Sequence, residues 1–207
     1  MLKRICTAAF FIVLIGCSNS KQANEKNFKS AIQAYLDTVY PKCFVNENFP
    51  AIVNSDFLGR RAALRSLAKA GLLSEKELSR KEYKDWNGVL NVAIKSEYAL
   101  TETGRKFYNP DARQTLSGDR GGFCIGKATV KDITRYTEPA DMFGHRITKV
   151  NYTYSVDKLP DWATLPEVTS GIPALKEAAD SANKPIKAIH TLVLTNNGWV
   201  HERLFTE

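Results

Sequence analysis

Serine, histidine, cysteine and carboxylate side chains carry most protein chemistry, so their spacing comes first. No Gly-x-Ser-x-Gly is present, and Gly118-Asp119-Arg120-Gly121-Gly122 lacks the lysine and hydroxyl with which a glycine-rich loop holds phosphate. The Ser-x-x-Lys spacing occurs at Ser18/Lys21, Ser66/Lys69, Ser155/Lys158 and Ser181/Lys184, but without the Lys-Thr-Gly or Ser-Asp-Asn partners of penicillin-type acyl transfer. Asp119, Asp141, Asp161 and Glu167 fall in predicted loops, and no spacing ties two of them to one face as a carboxylate-pair hydrolase requires. Among the histidines, His145, His190 and His201, none has metal-ligand spacing. A C-terminal hairpin turning at Asn197-Gly198 is expected to set Leu194 opposite His201 and His190 opposite Phe205. The two imidazoles would then stand roughly 13 Å apart at the strand rise. The expectation is a chain with no catalytic constellation, no metal and no cofactor.

Cysteine is the informative residue. Lys3 and Arg4 precede the apolar run Ala8-Ala9-Phe10-Phe11-Ile12-Val13-Leu14-Ile15, which is too short to span a bilayer needing about 20 apolar residues. A positive start followed by a short apolar core reads as an export signal. Its end, Leu14-Ile15-Gly16-Cys17, resembles the lipobox of bacterial lipoproteins. The resemblance implies cleavage before Cys17, diacylglycerol on its thiol and a stable membrane anchor, since each buried CH₂ contributes about 0.8 kcal/mol. Ser18 stands where inner-membrane-retained lipoproteins have Asp, which implies the periplasmic face of the outer membrane in a two-membrane bacterium.

With Cys17 lipidated and Cys6 removed, Cys43 and Cys124 remain, and an oxidising compartment favours a disulfide between them. Neither a Cys-x-x-Cys nor zinc spacing is present. The formal charge of +7 suits a mildly basic surface near anionic lipid or wall polymer.

The elements that must position these residues divide the chain. Residues 1–16 are the signal peptide and 17–27 a lipidated polar tether; 28–109 and 123–207 are read as two domains joined by a linker over 110–122. Phe28, Ile32, Tyr35, Leu36 and Val39 line one face of a helix from Glu25 to Val39, stopped by Pro41. A second helix is predicted over Phe57 to Ala70. Ser74-Glu75-Lys76-Glu77 fits a capping box opening a third. Strands follow over Val89–Lys95 and Tyr98–Leu100, then a brief helix from Thr101 to Tyr108. Leu64, Leu67, Ala70-Gly71-Leu72-Leu73 and Tyr98-Ala99-Leu100-Thr101-Glu102-Thr103-Gly104-Arg105 resemble a winged-helix domain. Arg61, Arg65 and Lys69 share one helical face that would suit phosphate, but an exported chain does not meet chromosomal DNA.

Beyond Gly122 the period changes to two. Phe123–Thr137 is one predicted strand, and Val150, Tyr152, Tyr154 and Val156 alternate with polar residues along another. Pro173–Ala182 is a short helix, and the hairpin closes the chain. The predicted fold class is α+β: a winged-helix-like helical N-terminal part, then a mostly antiparallel sheet with one short helix.

Four stretches, Phe123-Cys124-Ile125-Gly126-Lys127, Thr137-Glu138-Pro139-Ala140-Asp141, Val150-Asn151-Tyr152-Thr153-Tyr154 and Pro160-Asp161-Trp162-Ala163, resemble periplasmic carbapenem intrinsic-resistance proteins of the CarG/CpmG type. The resemblance implies protection without drug hydrolysis and supplies no catalytic residues. Tyr152, Tyr154 and Trp162 are the candidate binding aromatics, against a plainer reading as core. The leading expectation is a non-enzymatic, lipid-tethered envelope protein binding another protein or a wall polymer. A carbapenem-protective protein and a cell-wall hydrolase are the alternatives.

Overall fold

The structure is a computed structural model describing residues 19–54, 59–116, 118–142 and 144–206. The lipobox and Cys17 lie outside the described residues. Helix α1 (Glu25–Val39) starts where the Asn24 side chain accepts a hydrogen bond from the Asn27 N–H at 2.9 Å. It buries Phe28, Ile32 and Leu36 of the predicted face together with Ala31, while Tyr35 is half-buried and Val39, at the last turn, is exposed. After it come β1 (Lys42–Phe44), β2 (Ala51–Val53), α2 (Arg60–Lys69), β3 (Leu73–Lys84), β4 (Leu90–Leu100) and α3 (Glu102–Arg105). The remainder is β5 (Tyr108–Arg113), β6 (Arg120–Ile125), β7 (Lys127–Tyr136), β8 (Ala140–Met142), β9 (His145–Asp157), α4 (Pro166–Gly171), α5 (Pro173–Asp180), β10 (Ile186–Thr195) and β11 (Gly198–His201).

All strand pairs are antiparallel and form three sheets, ordered β1-β6-β5, β2-β4-β3 and β11-β10-β9-β7, with β8 beside β9. Two cores result. One lies between α1 and the β7–β11 sheet, where Phe28, Ile32 and Leu36 meet Val150, Tyr152 and Leu192. The other gathers Leu64 and Leu67 of α2, Tyr98, Phe123, Trp162 and Leu175. The chain therefore interleaves: its first helix packs on its last strands, and β5 and β6 run through 110–122. Gln33 ties α1 to the sheet edge, donating to the Ala128 carbonyl at 3.0 Å and accepting from the Val130 N–H at 2.9 Å. Such a bond satisfies edge-strand backbone groups that have no ladder partner.

The winged-helix-like helical N-terminal part is corrected here. Of the described residues 45% are strand and 28% helix. The segment opening at Ser74 is strand β3, paired with β4 from Leu73↔Leu100 to Lys84↔Leu90, not a third helix. Its Glu, Lys and Arg content favours a helix, but Asp85-Trp86-Asn87-Gly88 makes a tight turn. Val92, Ile94 and Tyr98 on the returning strand have strong sheet preference. Pairing outweighs local propensity. The brief helix after Thr101 ends at Arg105, and Tyr108 begins a strand.

Cys43 and Cys124 are register partners on β1 and β6, with sulfurs 2.07 Å apart. The disulfide expected from the cysteine count is present. Among the described residues no helix is long and apolar enough to cross a membrane.

Candidate tyrosine–histidine cleft

The alternation of β9 points Val150, Tyr152 and Tyr154 toward α1, and β10 sets Ala188 and His190 beside them through the pairs Ala188↔Tyr152 and His190↔Val150. The C-terminal end of α1 contributes Tyr35 and then Tyr40, and β1 contributes Lys42 at the rim. Between them lies a cleft of about 390 Å³. Tyr152 Oη and His190 Nδ1 are hydrogen-bonded at 2.9 Å. The Tyr35 ring stacks on His201 with centroids 3.6 Å apart, and His190 meets His201 edge-on at 4.5 Å. The Tyr40 and Tyr154 rings meet edge-on with centroids 6.5 Å apart.

The expected separation of His190 and His201 is corrected by the hairpin register. Thr195 pairs with Gly198 and Leu192 with His201, so His201 lies opposite a residue two positions from His190 rather than four. The reason is the turn. Asn196 and Asn197 do not take positive φ, whereas Gly198 does at +118°. The glycine thus follows the turn and pairs with Thr195, instead of sitting at the turn's centre. The signal lay in Asn196-Asn197-Gly198, which permits both registers.

Electrostatically the cleft is quiet. His201 Nδ1 accepts from the Arg203 N–H at 3.0 Å, which places its proton on Nε2, and that atom is buried with no partner among the described residues. Burial, helped by nearby His190, holds its pKa down to about 4. Burial also lowers His190 and raises the Tyr40, Tyr152 and Tyr154 hydroxyls. At neutral pH all five groups are uncharged, able to donate or accept hydrogen bonds but poorly matched to proton transfer. Tyr152→Phe should remove the bond to His190 and cost about 1 kcal/mol of stability, read by urea unfolding, with the cleft's shape kept.

Tyr152 and Tyr154 thus stand in one cleft, while Trp162 lies in the other core, 6.0 Å from the Phe123 ring and 5.7 Å from Phe107. His145 packs edge-on against Phe205. Of the Ser-x-x-Lys serines, Ser66 donates to the Ala63 carbonyl and Ser181 to the Ala178 carbonyl, so both hydroxyls serve backbone. On the basic face of α2, Arg61 binds the Val53 and Ile94 carbonyls and Arg65 pairs with Glu75 at 3.1 Å. These arginines brace the β2–β4 sheet. Among the described residues no group of three or more His, Cys, Asp or Glu side chains could hold a metal. Comparison of the chain with protein-family models, with curated proteins and with solved structures returns no match.

Proposed function

We propose that this chain is a lipid-anchored cell-envelope protein that binds its ligand in the tyrosine–histidine cleft without transforming it. The lipobox Leu14-Ile15-Gly16-Cys17 supports the location, with Ser18 favouring the outer membrane and its periplasmic face. The observation that carries the binding reading is a cleft of about 390 Å³ lined by Tyr40, Tyr152, Tyr154 and His190, all uncharged at neutral pH, with buried His201 packed against His190. Aromatic faces and hydroxyls there suit a compact, planar polar group, and Lys42 at the rim suits an attached carboxylate. A fragment of wall polymer or a terminal segment of an envelope protein has that chemistry.

A second reading keeps the cleft and makes the ligand a carbapenem, because Tyr152 and Tyr154 carry part of the resemblance to the intrinsic-resistance proteins and also line the cleft. One set of measurements tests both. Intact mass of the envelope protein should show diacylglycerol on Cys17. Titration with muropeptides and with a carbapenem, followed by NMR, should move the His190 and Tyr152 resonances for one ligand, and His190→Ala should abolish the shift. Turnover of either ligand by purified protein contradicts the non-enzymatic reading. Unchanged carbapenem tolerance on deletion removes the second.

A further inference from the structure

Beyond the short pairing of β2 with residues 96–98, the β3–β4 hairpin continues as a two-stranded ribbon exposed on both sides. From Ser96 to the turn it extends roughly 25 Å at the strand rise. An isolated ribbon is marginal in water, and this one is braced at both ends. Arg61 holds the Ile94 carbonyl at its base. At its tip Asp85 accepts from the N–H groups of Asn87 and Val89 and from the Asn91 side chain, while Gly88 supplies the positive φ of +78°. What this braced tip presents is apolar. Trp86 is 93% exposed, with Tyr83, Val89, Leu90 and Val92 exposed behind it.

We propose that the tip of the β3–β4 ribbon is a second membrane contact, which lays Trp86 into the headgroup layer of the bilayer that the lipid anchor engages. The proposal rests on the lipoprotein reading for its bilayer, but the ribbon argues for lipid by itself. The tip is a convex turn, and a stable protein interface buries about 800 Å² on each partner, far more than one turn offers. Indole and phenol rings partition to the membrane–water interface, where one end is apolar and the other wet. Lys81 and Lys84 flank the rings and can reach anionic headgroups along their aliphatic stems. The Asp85 carboxylate next to Lys84 is spent on the turn, which leaves exposed Glu82 as the one acidic side chain between the two lysines.

The chain contains three tryptophans, and Trp162 and Trp199 are each only 7% exposed, so a difference spectrum against Trp86→Phe isolates the tip. The full chain purified from bacterial membranes is reconstituted into vesicles of phosphatidylethanolamine and phosphatidylglycerol with brominated acyl chains. Trp86 emission should shift to shorter wavelength and be quenched by bromine, and its acrylamide quenching should fall about threefold, as expected for an indole leaving water for the interface. Flotation of the Trp86→Phe chain reads the anchor separately. If vesicles carry the protein but Trp86 meets acrylamide as freely as before, the anchor stands and the second contact is overturned. If mass shows no lipid and the chain does not float, the lipoprotein reading fails, and quenching of Trp86 on added vesicles still decides the tip. Crosslinks joining Trp86 positions of two copies, or protection of Trp86 without vesicles, also overturn it.

Discussion

Replacing Cys43 and Cys124 together by serine should lower the unfolding free energy by about 4.5 kcal/mol, the chain-entropy contribution of closing so long a loop. The cysteines are 81 residues apart, and the closed loop contains β2, α2, the β3–β4 hairpin, α3 and β5. In the unfolded chain the link removes many of the conformations in which the termini of that loop separate. The folded chain loses little by it, because antiparallel pairing of Lys42–Phe44 with Phe123–Ile125 already sets the two residues opposite one another. Urea unfolding of the double serine variant should match that of the wild-type chain under reducing conditions, and both should fall below the oxidised chain. A loss under 1 kcal/mol would mean that the bond's entropic gain is cancelled elsewhere. The oxidised protein should likewise expose no titratable thiol at Cys43 or Cys124 before unfolding.

Acid should unfold this protein earlier than its carboxylates alone would dictate, because of His201. The ring is fully buried, stacked on Tyr35, and its pKa is pushed down to about 4 from an ordinary value of 6.5, chiefly by burial. In the unfolded chain the same imidazole titrates near its ordinary value. Between those two values the unfolded state binds the additional proton. Stability from keeping the ring neutral is thus whole above about pH 6.5 and falls as pH drops toward about 4. The slope is about 1.4 kcal/mol per pH unit, reaching about 3 kcal/mol in all. His190, also lowered by burial and next to His201, adds to the loss in the same direction. Glu202 opposes it slightly and Arg203 reinforces it. His201→Gln is less stable at pH 7.5, because its amide fits the stacked slot poorly, but the fall from pH 7 to pH 4.5 should shrink by most of that 3 kcal/mol. Urea midpoints at the two pH values for both chains measure it, and equal pH slopes would show that His201 titrates normally.

Helix α1 and strand β9 were legible in the residues because each depends on a pattern inside one segment. A 3.6-residue apolar period with Pro41 after it has one reading, as does the alternation of Val150, Tyr152, Tyr154 and Val156. The disulfide was legible because, once the N-terminal cysteines are assigned to the export signal, only one pair remains. Strand β3 was not, since its charged, helix-favouring residues acquire an extended form only by pairing with β4. The cleft was half legible: Tyr152 and Tyr154 could be named, but Tyr35, Tyr40, His190 and His201 could not be grouped with them. Their meeting depends on α1 crossing the C-terminal sheet and on a hairpin register set by Gly198, a single residue whose place in the turn two nearly equal backbone solutions share. Local periodicity thus determined elements such as α1 and β9, whereas partner strand and register, which are properties of distant segments, were decided only when the chain closed on itself.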